Sequence, residues 1–169
     1  MIILGIDPAI RTTGYGVIRT ESAARFEILD CGIIANSAKL PHTECLRRIA
    51  GGIRELSGAF TPDCASIEDP FVGRNASTAI ILGMARGAIL TSLAEASIPA
   101  YSYTPRSAKR MAFGSGSATK EQIATMIAAE TGIEIEKLPL DSTDAIALAI
   151  CHALVALRPG LSAKLGKLL

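Results

Sequence analysis

Residues Ile2 to Gly16 constrain the rest of the chain more than any other stretch. Four apolar residues and a glycine run straight into Asp7, and Pro8, which has no N–H to donate, prevents the chain from continuing a central strand. An ionised carboxylate at the end of a core strand loses hydration unless a cation or hydrogen-bond donors meet it. Asp7 is therefore either a turn aspartate that caps nearby backbone N–H groups or a ligand for something positive.

The chain of 169 residues is the size of one domain and can bury roughly 70% of its unfolded surface, so it needs no metal or disulfide to fold. Cys31, Cys45, Cys64 and Cys151 are widely spaced with no C-x-x-C pair, which fits small buried apolar residues and a reducing, cytoplasmic setting. The N-terminus lacks a basic region ahead of its apolar run, so no signal peptide is expected. Ala145 to Leu157, the longest apolar stretch, includes His152 and is shorter than the ~20 residues of a membrane span, so a soluble protein is expected. The formal net charge is only +1, and what matters is where the charges sit.

After the first strand, Thr12-Thr13-Gly14 reads as a tight turn, followed by strands at Tyr15 to Arg19 and Phe26 to Ala35. Pro41 to Phe60 places Leu46, Ile49, Ile53, Leu56 and Phe60 at spacings of three and four, an amphipathic helix. Cys64 to Ile67 is a short apolar strand that runs into Glu68-Asp69-Pro70 and so repeats the pattern of strand, acid and proline. An alanine-rich helix from Asn75 to about Ala96 follows, with Gly83 and Gly87 on one face where another backbone can approach. Ile98 to Tyr103 is the next strand, and Pro105 opens a short helix. Thr119 with Gln122 forms a capping box for a helix from Lys120 to Glu130, and a last helix begins near Asp141 and ends near Leu157. The order predicts an α/β fold: a mixed five-stranded sheet flanked by helices, forming one domain over 1–158. A short basic tail at 159–169 is expected to fray.

Four acids fall at element ends. Asp7 and Glu68 follow strands, while Asp141 and Asp144, three apart, share a helix start where they serve as caps or as ligands. If the four converge they carry about −4 of charge, which raises carboxylate pKa values unless divalent cations are present. An oxygen-only set suits Mg²⁺, and two such ions roughly 3.5 to 4 Å apart are a known arrangement for phosphodiester hydrolysis. No protein base is then needed. His152 lies in an apolar helix and reads as a packed residue, and His42 sits at a helix start on the surface.

Arg106, Lys109, Arg110 and Lys120 form a run without an acid, next to Gly114-Ser115-Gly116-Ser117, whose exposed N–H groups suit phosphate. Arg74 and Asn75 lie just beyond Glu68, and Phe71 offers a ring that can stack on a base. Ser115 and Ser117 join them in a predicted DNA-facing rim.

Several segments together resemble one family: Gly5-Ile6-Asp7-Pro8, Thr13-Gly14-Tyr15-Gly16-Val17, Ile67-Glu68, Asn75, Gly83 through Arg86-Gly87, Gly114-Ser115-Gly116-Ser117-Ala118 with Lys120, and Asp141 through Asp144-Ala145. The chain resembles the RuvC family of bacterial Holliday junction resolvases over nearly its whole length. The resemblance implies a ribonuclease H-like fold and a homodimer that nicks four-way DNA junctions with Mg²⁺ or Mn²⁺, alongside the RuvA and RuvB branch-migration proteins. It also implies that Asp7, Glu68, Asp141 and Asp144 are the catalytic carboxylates. Phe71, Lys109, Lys120, Arg74 and Asn75 would then face DNA. Ala9 stands where the family usually has glycine, and Asp69-Pro70 replaces less rigid and less acidic residues. Two rivals remain: an actin-like or sugar-kinase phosphate site, which needs two such domains, and a junction-binding protein whose acids are structural.

Overall fold

A computed structural model describes residues 1–22, 25–69, 76–134, 136, 138–158 and 166–169. Three strands open the chain: β1 (Ile2–Asp7), β2 (Thr12–Ser22) and β3 (Arg25–Ala35). Then come α1 (His42–Phe60), β4 (Cys64–Glu68), α2 (Ala76–Glu95) and β5 (Ala100–Tyr103). The remainder is α3 (Pro105–Phe113), α4 (Lys120–Thr131), a 3₁₀ turn (Leu140–Ser142), α5 (Thr143–Ala156) and β6 (Lys167–Leu168).

The strands form one sheet in the order β3-β2-β1-β4-β5-β6. The opening meander pairs antiparallel, and the β1-β4 and β4-β5 pairs, each joined through a helix, are parallel. The predicted five strands are all present, but the sheet has six. Lys167–Leu168, placed in the tail expected to fray, pairs antiparallel with Tyr101–Ser102, since the edge of β5 offers unpaired backbone groups.

Strand alternation sends β1 and β4 side chains to both faces of the sheet. Leu4, Ile6, Ala65 and Ile67 pack with Ile49 and Ile53 of α1 and Ile89 and Leu93 of α2. Ile3 and Ile18 pack on the other face with Ile123 and Ile127 of α4 and Ile146 and Ile150 of α5. The result is a sheet covered by helices on both faces, with α5 buried along nearly all its length.

Two local expectations fail for identifiable reasons. Thr12-Thr13-Gly14 is not a turn but the start of β2, and Gly14 pairs with Asp7. The chain reverses at Pro8–Arg11 instead, where the Thr13 hydroxyl donates to the Ala9 carbonyl at 2.6 Å. The glycine that signals a turn in sequence serves close packing: a Cβ on Gly14 would run into the Asp141 carbonyl oxygen. Ala9 is not among the described non-glycine residues with positive φ, so alanine in place of glycine meets no backbone strain. The last helix begins at Thr143, leaving Asp141 in the preceding 3₁₀ turn.

α2 is long and apolar enough to cross a membrane by length and composition alone. Ala85, Arg86, Ile89, Ser92 and Leu93 are its buried residues, while Ile80 is 65% exposed.

Candidate active site

Asp7 and Glu68 end neighbouring parallel strands, paired up to Ile6 and Ile67, so their carboxylates emerge side by side at one sheet edge. α5 brings the third acid against them. It lies so close to β1 that a Cβ on Gly5 would coincide with the Ala145 carbonyl oxygen, and the Ser66 hydroxyl donates to the Leu148 carbonyl at 2.8 Å. Glycine in β1 and a small polar residue in β4 thus let the first turn of α5, with Asp144, sit on the sheet beside Asp7.

Burial and the neighbouring Asp144 carboxylate raise Asp7 to about 6. Glu68 rises to about 8, from burial and then from the charges of Asp7 and Asp144. A hydrogen bond between the two carboxyl groups lowers Asp7 and raises Glu68, so one proton is shared by the pair. Three carboxylates crowded at the junction of two strands and a helix cannot all ionise without cationic help.

In the protein alone that help comes from lysines. Lys109 Nζ of α3 lies 2.9 Å from Asp144 Oδ1, and Lys120 Nζ of α4 lies 2.7 Å from Asp141 Oδ1 and 4.0 Å from Asp144 Oδ2. Lys109 approaches Asp144 Oδ1 closely but off the line of a hydrogen bond, so that buried oxygen has no hydrogen-bond partner. Among the described residues no group of three or more acid, histidine or cysteine side chains stands together closely enough to hold a metal ion as it is. The donor set nevertheless fits a hard divalent cation: all oxygens, a shared proton for a cation to displace, and a buried carboxylate oxygen with an unused lone pair.

Asp141 is more peripheral, its side chain 52% exposed against 15% for Asp144, because it belongs to the 3₁₀ turn rather than the helix.

Of the predicted rim, Lys109 and Lys120 reach the carboxylates directly. Arg106 and Arg110 are exposed on α3, and Gly116 packs closely against Arg106, its side-chain stem and its carbonyl oxygen, which sets the Ser115–Ser117 loop beside that helix. Ser115 and Ser117 bring their hydroxyls within 3.4 Å of each other. Thr119 and Gln122 form the capping box that starts α4, so Lys120 is its first residue. Phe71, Arg74 and Asn75 lie outside the described residues. Asp69, the residue after Glu68, accepts the Ser102 hydroxyl on its Oδ1 at 2.8 Å.

His152 is 5% exposed, and its Nδ1 is 2.7 Å from the Tyr103 hydroxyl. Burial lowers its pKa to about 4, so it is a packed neutral residue, as the apolar helix around it implied. The sequence reading missed Arg86 as a partner of this region. The signal was there: apart from Glu95 at the end, it is the only charge in a twenty-residue apolar helix, and a buried arginine needs a partner.

The family model "Crossover junction endodeoxyribonuclease RuvC" matches residues 3–152. The RuvC endodeoxyribonuclease of Chlorobaculum parvum is 40% identical over 151 residues, spanning 89% of this chain and 80% of that protein. That of Chloroflexus aggregans is 38% identical over 156 residues, spanning 92% and 94%. Among solved structures, T. thermophilus RuvC in complex with a Holliday junction substrate superposes with a TM-score of 0.88 at 32% identity, covering 100% of this chain and 99% of that one. The yeast mitochondrial Holliday junction resolvase Ydc2 shares the fold, with a TM-score of 0.64 at 11% identity over 95% and 82% of the chains.

Proposed function

The chain belongs to the RuvC family of crossover junction endodeoxyribonucleases, and on that premise we propose how its own residues resolve a four-way DNA junction. The enzyme is a structure-selective endonuclease that resolves Holliday junctions by phosphodiester hydrolysis. The observation that carries the residue assignment is the convergence of Asp7, Glu68 and Asp144, with raised proton affinity on the first two, beside Lys109 and Lys120.

In this reading Asp7, Glu68, Asp141 and Asp144 would hold the two Mg²⁺ ions, with Asp7 central to the cluster and Asp141 at its solvent side. When bound, Mg²⁺ supplies activation of the attacking water and charge neutralisation at the phosphate and leaving oxygen, and Mn²⁺ serves the same purpose. The acids must shed the shared proton for this, since only the carboxylate form binds a cation. Lys109 and Lys120, freed from Asp144 and Asp141, turn their ammonium groups to non-bridging phosphate oxygens. Neither histidine is the base: His152 is locked to Tyr103, and His42 opens α1 on the opposite face of the sheet.

Arg106, Arg110, Ser115 and Ser117 extend the cationic and hydroxyl-bearing surface from Lys109 and Lys120 along the DNA. Phe71, Arg74 and Asn75 complete that rim from the segment after Glu68. The homodimer seats on α2, where Ile80 and Met84 are exposed and a Cβ on Gly83 or Gly87 would meet nothing within 4 Å, leaving room for a second backbone. RuvA and RuvB are the further partners of this reading, and four free cysteines fit a reducing cytoplasm.

The test offers a labelled four-way junction, a linear duplex and an RNA–DNA hybrid with Mg²⁺ or EDTA. Paired nicks in the junction alone, and only with Mg²⁺, are the expected result. Equal cleavage of the duplex or hybrid would contradict junction selectivity, and cleavage in EDTA would contradict the metal requirement.

A further inference from the structure

Glu68 is held from behind. Ser66 reaches the α5 face of the sheet, as Glu68 does two residues on, whereas Ser102 of β5 points to the opposite face, under α2. On that opposite face Arg86 Nη1 donates to the Glu68 main-chain carbonyl at 2.7 Å, and Nη2 donates to the Ser102 hydroxyl at 3.3 Å. Ser102 in turn donates to Asp69 Oδ1 at 2.8 Å.

The N–H of the same Glu68–Asp69 peptide donates to the Tyr103 carbonyl at 2.7 Å. Both polar ends of the peptide that follows Glu68 are therefore fixed, one by a guanidinium and one by β5. The neighbouring strand leaves room for this donor. Ile67 pairs with Ile6, so the chain alongside Glu68 runs into Asp7 and Pro8, and Pro8 has no N–H.

A guanidinium suits the position because its two nitrogens diverge in a rigid plane and reach the carbonyl and the hydroxyl together, which an ammonium cannot do. Arg86 is only 9% exposed, and a charge that buried needs an anion. Asp69 supplies it through Ser102 and closes a chain from cation to carboxylate.

We propose that Arg86, with Ser102 and Asp69 behind it, is a positioning residue that fixes the peptide after Glu68 and so aims the Glu68 carboxylate at the cation site. It touches neither DNA nor the reacting atoms. The inference rests on the reading of Glu68 as a cation ligand. It also accounts for the acid at Asp69: that carboxylate balances a buried arginine.

The experiment compares wild type, Arg86→Lys, Ser102→Ala and Asp69→Asn. Mn²⁺ affinity is measured by electron paramagnetic resonance without DNA, kcat and KM on a four-way junction, and folded fraction by thermal melting. Arg86→Lys is expected to bind Mn²⁺ ~10-fold more weakly or worse. Its kcat is expected to fall ~10- to 100-fold while KM stays near wild type, because aim is lost and not DNA contact. Ser102→Ala and Asp69→Asn shift both quantities in the same direction by less, and they decide the matter if Arg86→Lys does not fold.

Wild-type Mn²⁺ affinity and kcat in the folded variants overturn the inference, as does an activity loss no larger than the loss of folded protein. If wild type itself neither binds Mn²⁺ nor nicks the junction, the functional reading fails instead, so the two failures are distinct.

Discussion

Lys109 Nζ stands 2.9 Å from Asp144 Oδ1, where α3 meets α5, with the two side chains only 18% and 15% exposed. The lysine stands in for part of the positive charge that the acid cluster requires. Lys109→Met should therefore destabilise the metal-free protein by about 3 kcal/mol, the cost of an uncompensated buried carboxylate. Added Mg²⁺ should recover most of that loss, because the cation takes over the compensation. Denaturant melts of both proteins in EDTA and in Mg²⁺ make the comparison, and an equal deficit in the two conditions would count against a cation at Asp144.

The metal-free protein should lose stability as pH rises. Asp7 and Glu68 have folded-state pKa values of about 6 and about 8, above their ordinary 3.8 and 4.5. The folded state binds the proton more tightly than the unfolded chain, so the stabilising contribution is complete below pH 4 and lost through the window up to about 8. In EDTA the melting temperature should fall between pH 6.5 and 8.5, and Mg²⁺ should flatten that slope. A flat profile in EDTA would mean that the carboxylates do not crowd as described.

The acid side of the profile belongs to His152. Its pKa of about 4 lies below the ordinary 6.5, so its contribution is present above pH 6.5 and lost as pH falls through 4. A shift of that size is about 3 kcal/mol at 1.36 kcal/mol per pH unit. Because Asp7 and Glu68 gain stability over the same range, the effect is read as a difference: His152→Gln, though less stable at pH 7, should close on wild type as pH drops to 4. A constant gap between the two proteins would show that His152 ionises freely in the fold.

The close packing on the sheet of α5 and the 3₁₀ turn before it requires glycine at Gly5 and Gly14, whereas a helix glycine with open space around it is dispensable. A Cβ on Gly5 meets the Ala145 carbonyl and one on Gly14 the Asp141 carbonyl, both rigid backbone. Gly5→Ala should cost about 3 kcal/mol or more by overpacking and should move Asp144 away from Asp7, weakening Mn²⁺ binding. Gly51→Ala in α1, where nothing lies within 4 Å, should stabilise by up to about 1 kcal/mol. Chemical denaturation of both variants tests the contrast, and similar effects would contradict the packing.

What the sequence made legible was what periodicity and punctuation encode. An apolar run cut off by acid and proline marked the ends of β1 and β4, and with them Asp7 and Glu68. The capping box at Thr119 located α4. Gly14 misled because a glycine that frees space for another backbone looks in sequence like one that permits a turn. Asp141 was placed on the helix with Asp144, since a 3₁₀ turn leading into a helix leaves little trace in residue spacing. β6 and the partners of Arg86 were out of reach for a different reason: both depend on pairing between segments far apart in the chain, which local pattern does not record.

Asp7 gives the account its most direct test. The Asp7→Asn protein and wild type are incubated with a labelled four-way junction, and binding in EDTA and nicking in Mg²⁺ are measured on the same preparations. Asn keeps the shape but removes the anionic ligand at the centre of the cluster, so nicking should disappear while junction affinity remains close to wild type. Nicking at the wild-type rate by Asp7→Asn would contradict a catalytic centre built around this carboxylate.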